Sequence, residues 1–169
     1  MKKLIYLSII ATLFACSDNS SKTDQSGDKK YQEVTKIKDG FTVTHTPEKG
    51  EAILNGPSGL KYTWVYKTSI TSKEKVKILE FGAFVPFNGK WIFSTYTGKP
   101  FTPKDFEEWY DCPRSTLFPN KQYTDINNWT GSDVLEASES LWYYIGETES
   151  GEQVKAMGKI NRIAELQSL

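Results

Sequence analysis

The sequence contains few of the side chains that most often carry chemistry in proteins. It has one histidine, His45, and two cysteines, Cys16 and Cys112. A structural zinc site needs about four nitrogen or sulfur ligands, so these residues cannot build one within a single chain. No acidic segment has the spacing of a calcium-binding loop. We therefore predict no metal ion and no cofactor.

An excess of charge of either sign is also missing. The 21 basic side chains cancel the 21 acidic ones, and no basic cluster is interleaved with aromatic residues. No overall electric field would then draw the protein to the phosphate backbone of a nucleic acid. The sequence therefore excludes DNA or RNA as a partner.

Long apolar runs are scarce, and the longest one lies at the start of the chain. Two lysines precede an apolar run over residues 4–14. This is the layout of a secretory signal, and the run is too short to remain as a membrane-spanning helix. We therefore predict that residues 1–15 are a signal peptide.

The residues that close this segment form a second motif. The string Leu13-Phe14-Ala15-Cys16 resembles the lipobox of bacterial lipoproteins. The resemblance implies that Cys16 becomes the first residue of the mature chain and receives acyl chains, which would hold the protein in a membrane. Ser17 after the cysteine implies export to the outer membrane. The resemblance does not imply which face of that membrane carries the protein. The alternative is an ordinary signal peptide that a cysteine happens to follow.

A polar stretch separates this motif from the rest of the chain. Residues 17–30 contain no apolar side chain. Such a stretch gains too little from burial to offset the entropy lost on ordering. We therefore predict a flexible tether over residues 16–30, with a reach of roughly 20 Å, and a single β-rich domain over residues 31–169.

The strongest local signal inside that domain lies in residues 76–96. Asn88-Gly89 separates two apolar runs, which is the preferred composition of a two-residue hairpin turn. The turn predicts the cross-strand pairs Phe84/Phe93, Val85/Ile92 and Phe81/Tyr96. Both faces of this hairpin would be apolar, so we expect it to lie at the centre of the sheet.

Shorter signals fix the remaining elements. Alternating segments predict strands over residues 34–38, 41–46, 62–70, 141–145 and 153–160. Thr102, Pro103 and Asp105 are typical of a helix start, which predicts a helix over residues 103–111 that ends before Pro113. Seven or eight short strands with one short helix favour a mainly β fold, an antiparallel β-sandwich of the immunoglobulin-like or transthyretin-like class. A small β-barrel is the alternative, and the tail from residue 161 is predicted to form a helical turn or to fray.

The residues after the predicted helix are irregular and rich in aromatic side chains. A long loop of this composition is typical of a binding surface for a sugar face or a partner protein. The opposing interpretation is that these rings cover the sandwich and are buried. The candidate binding residues of the segment 106–129 are Trp109, Tyr110, Phe118, Tyr123 and Trp129.

Cys112 is the one thiol that remains free if Cys16 is acylated. Arg114 lies two residues away and would favour a thiolate, so a nucleophilic pair of Cys112 with His45 is conceivable. A buried structural cysteine is the favoured interpretation. We assign no catalytic residue.

These observations favour a lipid-anchored, non-enzymatic protein of the cell envelope, acting as an accessory or binding subunit of an outer-membrane complex. Its expected partners are the membrane and an envelope protein. One alternative is a glycan-binding module that uses Trp109 and Trp129, and another is an envelope enzyme that uses Cys112 and His45.

Overall fold

The computed structural model describes residues 21–168 of the chain. Strands dominate these residues, which confirms the mainly β class. In chain order the elements are α1 (Ser21–Thr35), β1 (Lys38–Asp39), β2 (Phe41–Thr46), β3 (Lys49–Leu54), β4 (Tyr62–Ser72), β5 (Val76–Phe87), β6 (Lys90–Phe93), α2 (Pro103–Tyr110), a 3-10 turn (Pro113–Ser115), β7 (Thr116–Leu117), β8 (Gln122–Ser132), β9 (Ser138–Thr148) and β10 (Gln153–Leu166).

All ten strands belong to one hydrogen-bonded sheet. Its main order is β2-β4-β3-β10-β9-β5-β6, while β8 pairs with β4, β1 with β10 and β7 with β5. Among the strands of residues 21–168, only the pairs β1/β10 and β3/β10 are parallel. The sheet curls into an open half-barrel, so the predicted sandwich of two separate sheets is not confirmed. Hydrogen bonds instead run continuously through β3 and β10 from one half of the curl to the other.

The inner face of the curl holds the larger core. Side chains from β4 and β8 meet side chains from β5 and β9 there, and α2 fills the space between them. Phe81 lies at the centre, with its ring parallel to that of Tyr144 at 5.4 Å and edge-on to that of Phe106 at 5.7 Å. Burial of these large rings supplies the main stabilisation of the fold.

The helix α2 matches its prediction closely. Thr102 and Asp105 form a capping box, in which each side chain accepts a hydrogen bond from the backbone N–H of the other residue. Phe106 and Tyr110 are buried one turn apart on the same face. The short-range capping pattern therefore placed this helix correctly.

The hairpin of β5 and β6 has the predicted turn and the predicted first pairs. Asn88 and Gly89 both have positive φ, and the register joins Phe84 to Phe93 and Val85 to Ile92. The predicted pair of Phe81 with Tyr96 is wrong, because β6 ends at Phe93 and Phe81 bridges Phe101 instead. The hairpin also lies at an end of the sheet rather than at its centre.

The outer face of the hairpin is covered by α1, where the sequence predicts a flexible tether and then a strand. Tyr31, Val34 and Ile37 follow a helical spacing and pack on the outer cluster that includes Phe84 and Tyr143. An ion pair joins Lys30 to Glu80. The apolar side chains of Tyr31 and Val34 pack α1 onto the sheet, and residues 21–30 belong to the same helix.

Two further segments differ from their predictions. The region 122–132 forms the long strand β8, and the polar residues Asp125 and Asn128 occupy two of its buried positions. The sequence of β8 therefore lacks the alternation of apolar and polar residues that predicts a strand. The tail continues as β10 to Leu166 and pairs with β3 instead of forming a helical turn.

The lipobox prediction at Cys16, the signal peptide over residues 1–15 and the first part of the predicted tether lie outside the described residues. Within residues 21–168, no helix is both long enough and apolar enough to cross a membrane.

Candidate functional site

A cavity of about 390 Å³ opens where the two halves of the curl face each other. One wall comes from β8, and the opposite wall comes from β5, β9 and the residues that follow β6. Aromatic rings, hydroxyl groups and one amide line it, and none of its lining residues within 21–168 carries a charge. Its lining includes Tyr96, Phe101, Asn128, Trp129, Thr130, Ser140 and Trp142.

Stacked aromatic rings form the mouth and the floor of this cavity. Tyr96 is 68% exposed, and its ring stacks on that of Trp129 with centroids 6.2 Å apart and planes 28° apart. Deeper inside, Phe101 stacks on Trp142 at 6.2 Å and 15°. The cavity therefore presents flat apolar faces at two depths.

Hydroxyl and amide groups lie beside these rings. The hydroxyl oxygens of Thr130 and Ser140 are 3.3 Å apart, although β8 and β9 share no ladder, so this contact crosses the interior of the curl. The buried Asn128 donates through Nδ2 to Thr68 Oγ1 at 2.8 Å and accepts the backbone N–H of Trp129 at 2.8 Å. Asn128 is thus held in one orientation at the cavity wall.

A set of buried tyrosines supports the floor from behind. Trp142 Nε1 donates to the hydroxyl of Tyr66 at 2.6 Å, and the hydroxyls of Tyr110 and Tyr144 are 2.6 Å apart. Burial raises the pKa of all three tyrosines well above the ordinary value. They remain neutral at physiological pH, so they act as hydrogen-bonding groups and not as charged ones.

Two ionisable groups lie near Thr68 at the back of this network. Burial raises the pKa of Asp125, an effect that the hydrogen bond from the backbone N–H of Asn127 opposes. Burial lowers the pKa of His45, an effect that the backbone of Gly158 opposes. His45 Nδ1 lies 3.0 Å from Thr68 Oγ1. Both groups are buried and favour their neutral forms relative to free side chains.

The five aromatic residues predicted to form one binding surface do not lie together. Trp109 is half-buried against Phe101, with ring centroids 4.7 Å apart, while Tyr110 and Tyr123 are buried in the inner core. Phe118 is exposed but follows β7, which pairs with the start of β5. Trp129 is the member of the set that reaches the cavity. The long loop that would have grouped them is replaced by α2 and β8.

Cys112 and His45 have separate surroundings. Cys112 is buried, its Sγ donates to the carbonyl of Thr116 at 3.3 Å, and burial raises the pKa of its thiol to about 11. The ring of His45 contacts Thr68 and, edge-on, Tyr66 at 5.3 Å. A thiol with a raised pKa is a poor nucleophile. Within residues 21–168, no group of three or more metal-ligating side chains comes together.

Tyr96, Phe101 and Trp142 line the cavity but were not among the residues proposed from the sequence. Tyr96 was assigned to a strand pair, and Trp142 lies in a run of aromatic residues that alternates between the two faces of β9. The sequence signal for an aromatic cavity is limited to the number of tryptophan and tyrosine residues, which is larger than a small core needs.

Comparison with known proteins adds little to this geometry. No protein-family model and no curated protein matches the sequence. A crystal structure of a Bordetella pertussis protein provisionally called ApaA is similar over 79% of this chain and 99% of its own, with 11% sequence identity and a TM-score of 0.41. Similarity at this level carries no inference about function, so the chain is assigned to no family.

Proposed function

We propose that the protein is a lipid-anchored, non-enzymatic binding protein of the cell envelope, whose inner cavity holds an uncharged ligand. The observation that carries the ligand-binding part is the composition of the cavity. It combines stacked rings with hydroxyl and amide groups and has no charged side chain in its lining. Such a site favours a neutral molecule that has one apolar face and several hydrogen-bonding groups.

A neutral sugar unit is the ligand class that fits these features best. The exposed ring of Tyr96, stacked on Trp129, offers a flat surface to the C–H face of a pyranose. Thr130, whose hydroxyl oxygen lies 3.3 Å from that of the buried Ser140, offers a hydroxyl to the sugar's own hydroxyls. The proposed glycan site is therefore the cavity with Tyr96 and Trp129 and no longer a loop with Trp109.

The non-enzymatic part of the proposal follows from the state of the reactive groups. The Cys112 thiol is buried with a raised pKa, and the hydrogen bonds of Cys112 and His45 go to different partners. We therefore retain the enzyme alternative only as an outcome of experiment. A native protein whose Cys112 reacts rapidly with a thiol probe would support it.

Sugar binding is tested by screening the full-length protein against neutral oligosaccharides and measuring affinities by calorimetry. We expect binding that is lost in Tyr96→Ala and Trp129→Ala and kept in Phe118→Ala, an exposed aromatic residue away from the cavity. If the wild-type protein binds no neutral oligosaccharide, or if Phe118→Ala loses binding equally, the sugar assignment is wrong.

The envelope part of the proposal rests on the lipobox at Cys16. Intact-mass measurement of the mature protein should show a chain that starts at Cys16 and carries acyl groups, and the Cys16→Ala protein should carry none. The accessory-subunit role predicts that a partner protein co-purifies after mild detergent extraction. A strictly solitary species would contradict that role.

A further inference from the structure

We infer that the tip of the β5–β6 hairpin, formed by Phe87, Asn88, Gly89 and Lys90, rests on the lipid bilayer that holds Cys16. This inference deepens the proposed function and rests on its lipid anchor. The name hairpin tip refers to these four residues below.

The direction of α1 on the sheet is the first step. At the middle of the helix, a carboxylate oxygen of Asp28 lies 3.7 Å from Lys90 Nζ at the hairpin tip. One turn later the ring of Tyr31 stacks on Trp91, with centroids 6.1 Å apart. Val34 packs further along, in the cluster that contains Ile145. From Asp28 onward the helix therefore runs away from the hairpin tip, and the half of the helix that precedes Asp28 lies on the side of the tip.

The length of chain that precedes the helix is the second step. Four residues separate Cys16 from Ser21, where α1 begins. Even fully extended, they place Cys16 within roughly 18 Å of Ser21. The helix from Ser21 to Asp28 adds a rise of about 10 Å. An acylated Cys16 is thus confined to the side of the domain that carries the hairpin tip.

The third step concerns the end of β5 opposite the hairpin tip, because that end defines the side of the domain that faces away from the bilayer. The strand β5 runs from Val76 to Phe87, a length of about 36 Å. Leu117 pairs with Val76 at the far end, so Phe118 lies there. A short anchor at one end of this strand holds the near end towards the bilayer and leaves the far end in water.

The chemistry of the hairpin tip suits a membrane interface. Phe87 is 52% exposed at the end of its strand, and Lys90 faces it across the turn. An aromatic ring can enter the headgroup region while a neighbouring ammonium group contacts lipid phosphates. One exposed ring binds a bilayer weakly by itself, but the anchor raises its effective concentration at the surface.

The test uses full-length protein purified with its acyl chains and reconstituted into vesicles of phosphatidylethanolamine and phosphatidylglycerol. The acyl chains of some lipids are brominated, so that they quench tryptophan that reaches them. Trp91 lies beside the hairpin tip and is the expected reporter. We expect quenching in the wild-type protein, loss of most of it in Trp91→Phe, and a fall of about half in Phe87→Ser.

Phe118→Ser is the matched control, because Phe118 is 48% exposed and lies at the opposite end of β5. It should be quenched as strongly as the wild-type protein. Hydrogen exchange gives a second readout that does not depend on the folding of the Trp91 variant. Amides of the hairpin tip should exchange more slowly on vesicles, while those near Phe118 should not change.

Several outcomes would overturn the inference. Acylated, vesicle-bound protein that shows no quenching would do so, as would quenching that is unchanged in Phe87→Ser. Protection of the hairpin tip that rises with protein concentration in the absence of vesicles would assign the tip to a second copy of the chain. A mature protein without acyl groups that stays in solution would instead refute the proposed anchor, so the two failures are distinguishable.

Discussion

At the scale of single residues, the interior of the curl is organised by buried hydroxyl groups. The hydroxyls of Tyr110 and Tyr144 satisfy each other at 2.6 Å, and that of Tyr66 accepts a hydrogen bond from Trp142. A buried polar group that loses its partner costs more free energy than a hydrogen bond contributes when it forms. These pairs therefore make the core sensitive to the loss of a single oxygen atom.

The tyrosine pair gives a direct test of this sensitivity. We expect Tyr144→Phe to lower the free energy of unfolding by about 1–3 kcal/mol, because it leaves the hydroxyl of Tyr110 without that partner. The double variant with Tyr110→Phe should be less destabilised than the sum of the two single variants. Urea unfolding measures all three proteins, and strictly additive effects would contradict the pairing.

His45 gives a prediction about pH. Burial lowers its pKa below the ordinary value of 6.5, so below about pH 6.5 the unfolded chain binds more protons than the folded protein. The free energy of unfolding should therefore fall as the pH drops from about 7 through this region, down to the lowered pKa. His45→Gln should flatten that dependence. Urea titrations at several pH values compare the two proteins, and identical slopes would show that His45 is not the group responsible.

At the scale of elements, two helices cover opposite faces of one sheet, and different kinds of contact hold each helix in place. The helix α2 is set by its capping box and by two buried rings, whereas α1 depends on a few apolar contacts and an ion pair with Glu80. The outer face of the sheet is covered by α1 over Phe84 and Tyr143. If these contacts hold the helix in solution, the folded unit begins before residue 31.

This role of α1 is testable by truncating one buried side chain. Val34 is fully buried, so we expect Val34→Ala to lower the free energy of unfolding by about 2 kcal/mol. Gln32 lies on the exposed side of the same helix, and Gln32→Ala should have almost no effect. Equal stability of the two variants would show that Val34 does not hold α1 on the sheet.

At the scale of the whole molecule, the curl depends on the strand β10. It pairs with β9 along ten residues and with β3 near its end, and so joins the two halves of the sheet. Without the β3 contact the cavity walls would no longer be held opposite each other. The shape of the cavity is thus a property of the complete sheet.

Removing residues 161–169 should separate the two halves of the curl. We expect such a protein to lose cooperative unfolding and to show weaker near-ultraviolet circular dichroism, because the rings of the inner core lose their fixed packing. Removing only residues 168–169, which come after the hydrogen bond from the N–H of Gln167 to the carbonyl of Ala52 in β3, is the matched control. A shortened protein that unfolds as sharply as the full chain would show that β10 does not join the halves.

The parts of the fold that sequence predicts are those set by short-range chemistry. Asn88-Gly89 determines a turn by itself, and Thr102 with Asp105 determines a helix start. The strand β8 escaped prediction because Asp125 and Asn128 point inward and are satisfied by local and cross-strand partners. The cavity cannot be predicted from the sequence, because its aromatic rings come from separate parts of the chain and come into contact only when the sheet curls.

The position of β10 within the sheet also bears on when the chain can complete its fold. This strand emerges from the ribosome after the nine others, yet it lies between β3 and β9 in the sheet order. A nascent chain therefore cannot complete the tertiary structure until translation has passed residue 166. For the export that we propose, late closure by β10 would leave the polypeptide incompletely folded until its synthesis is nearly finished.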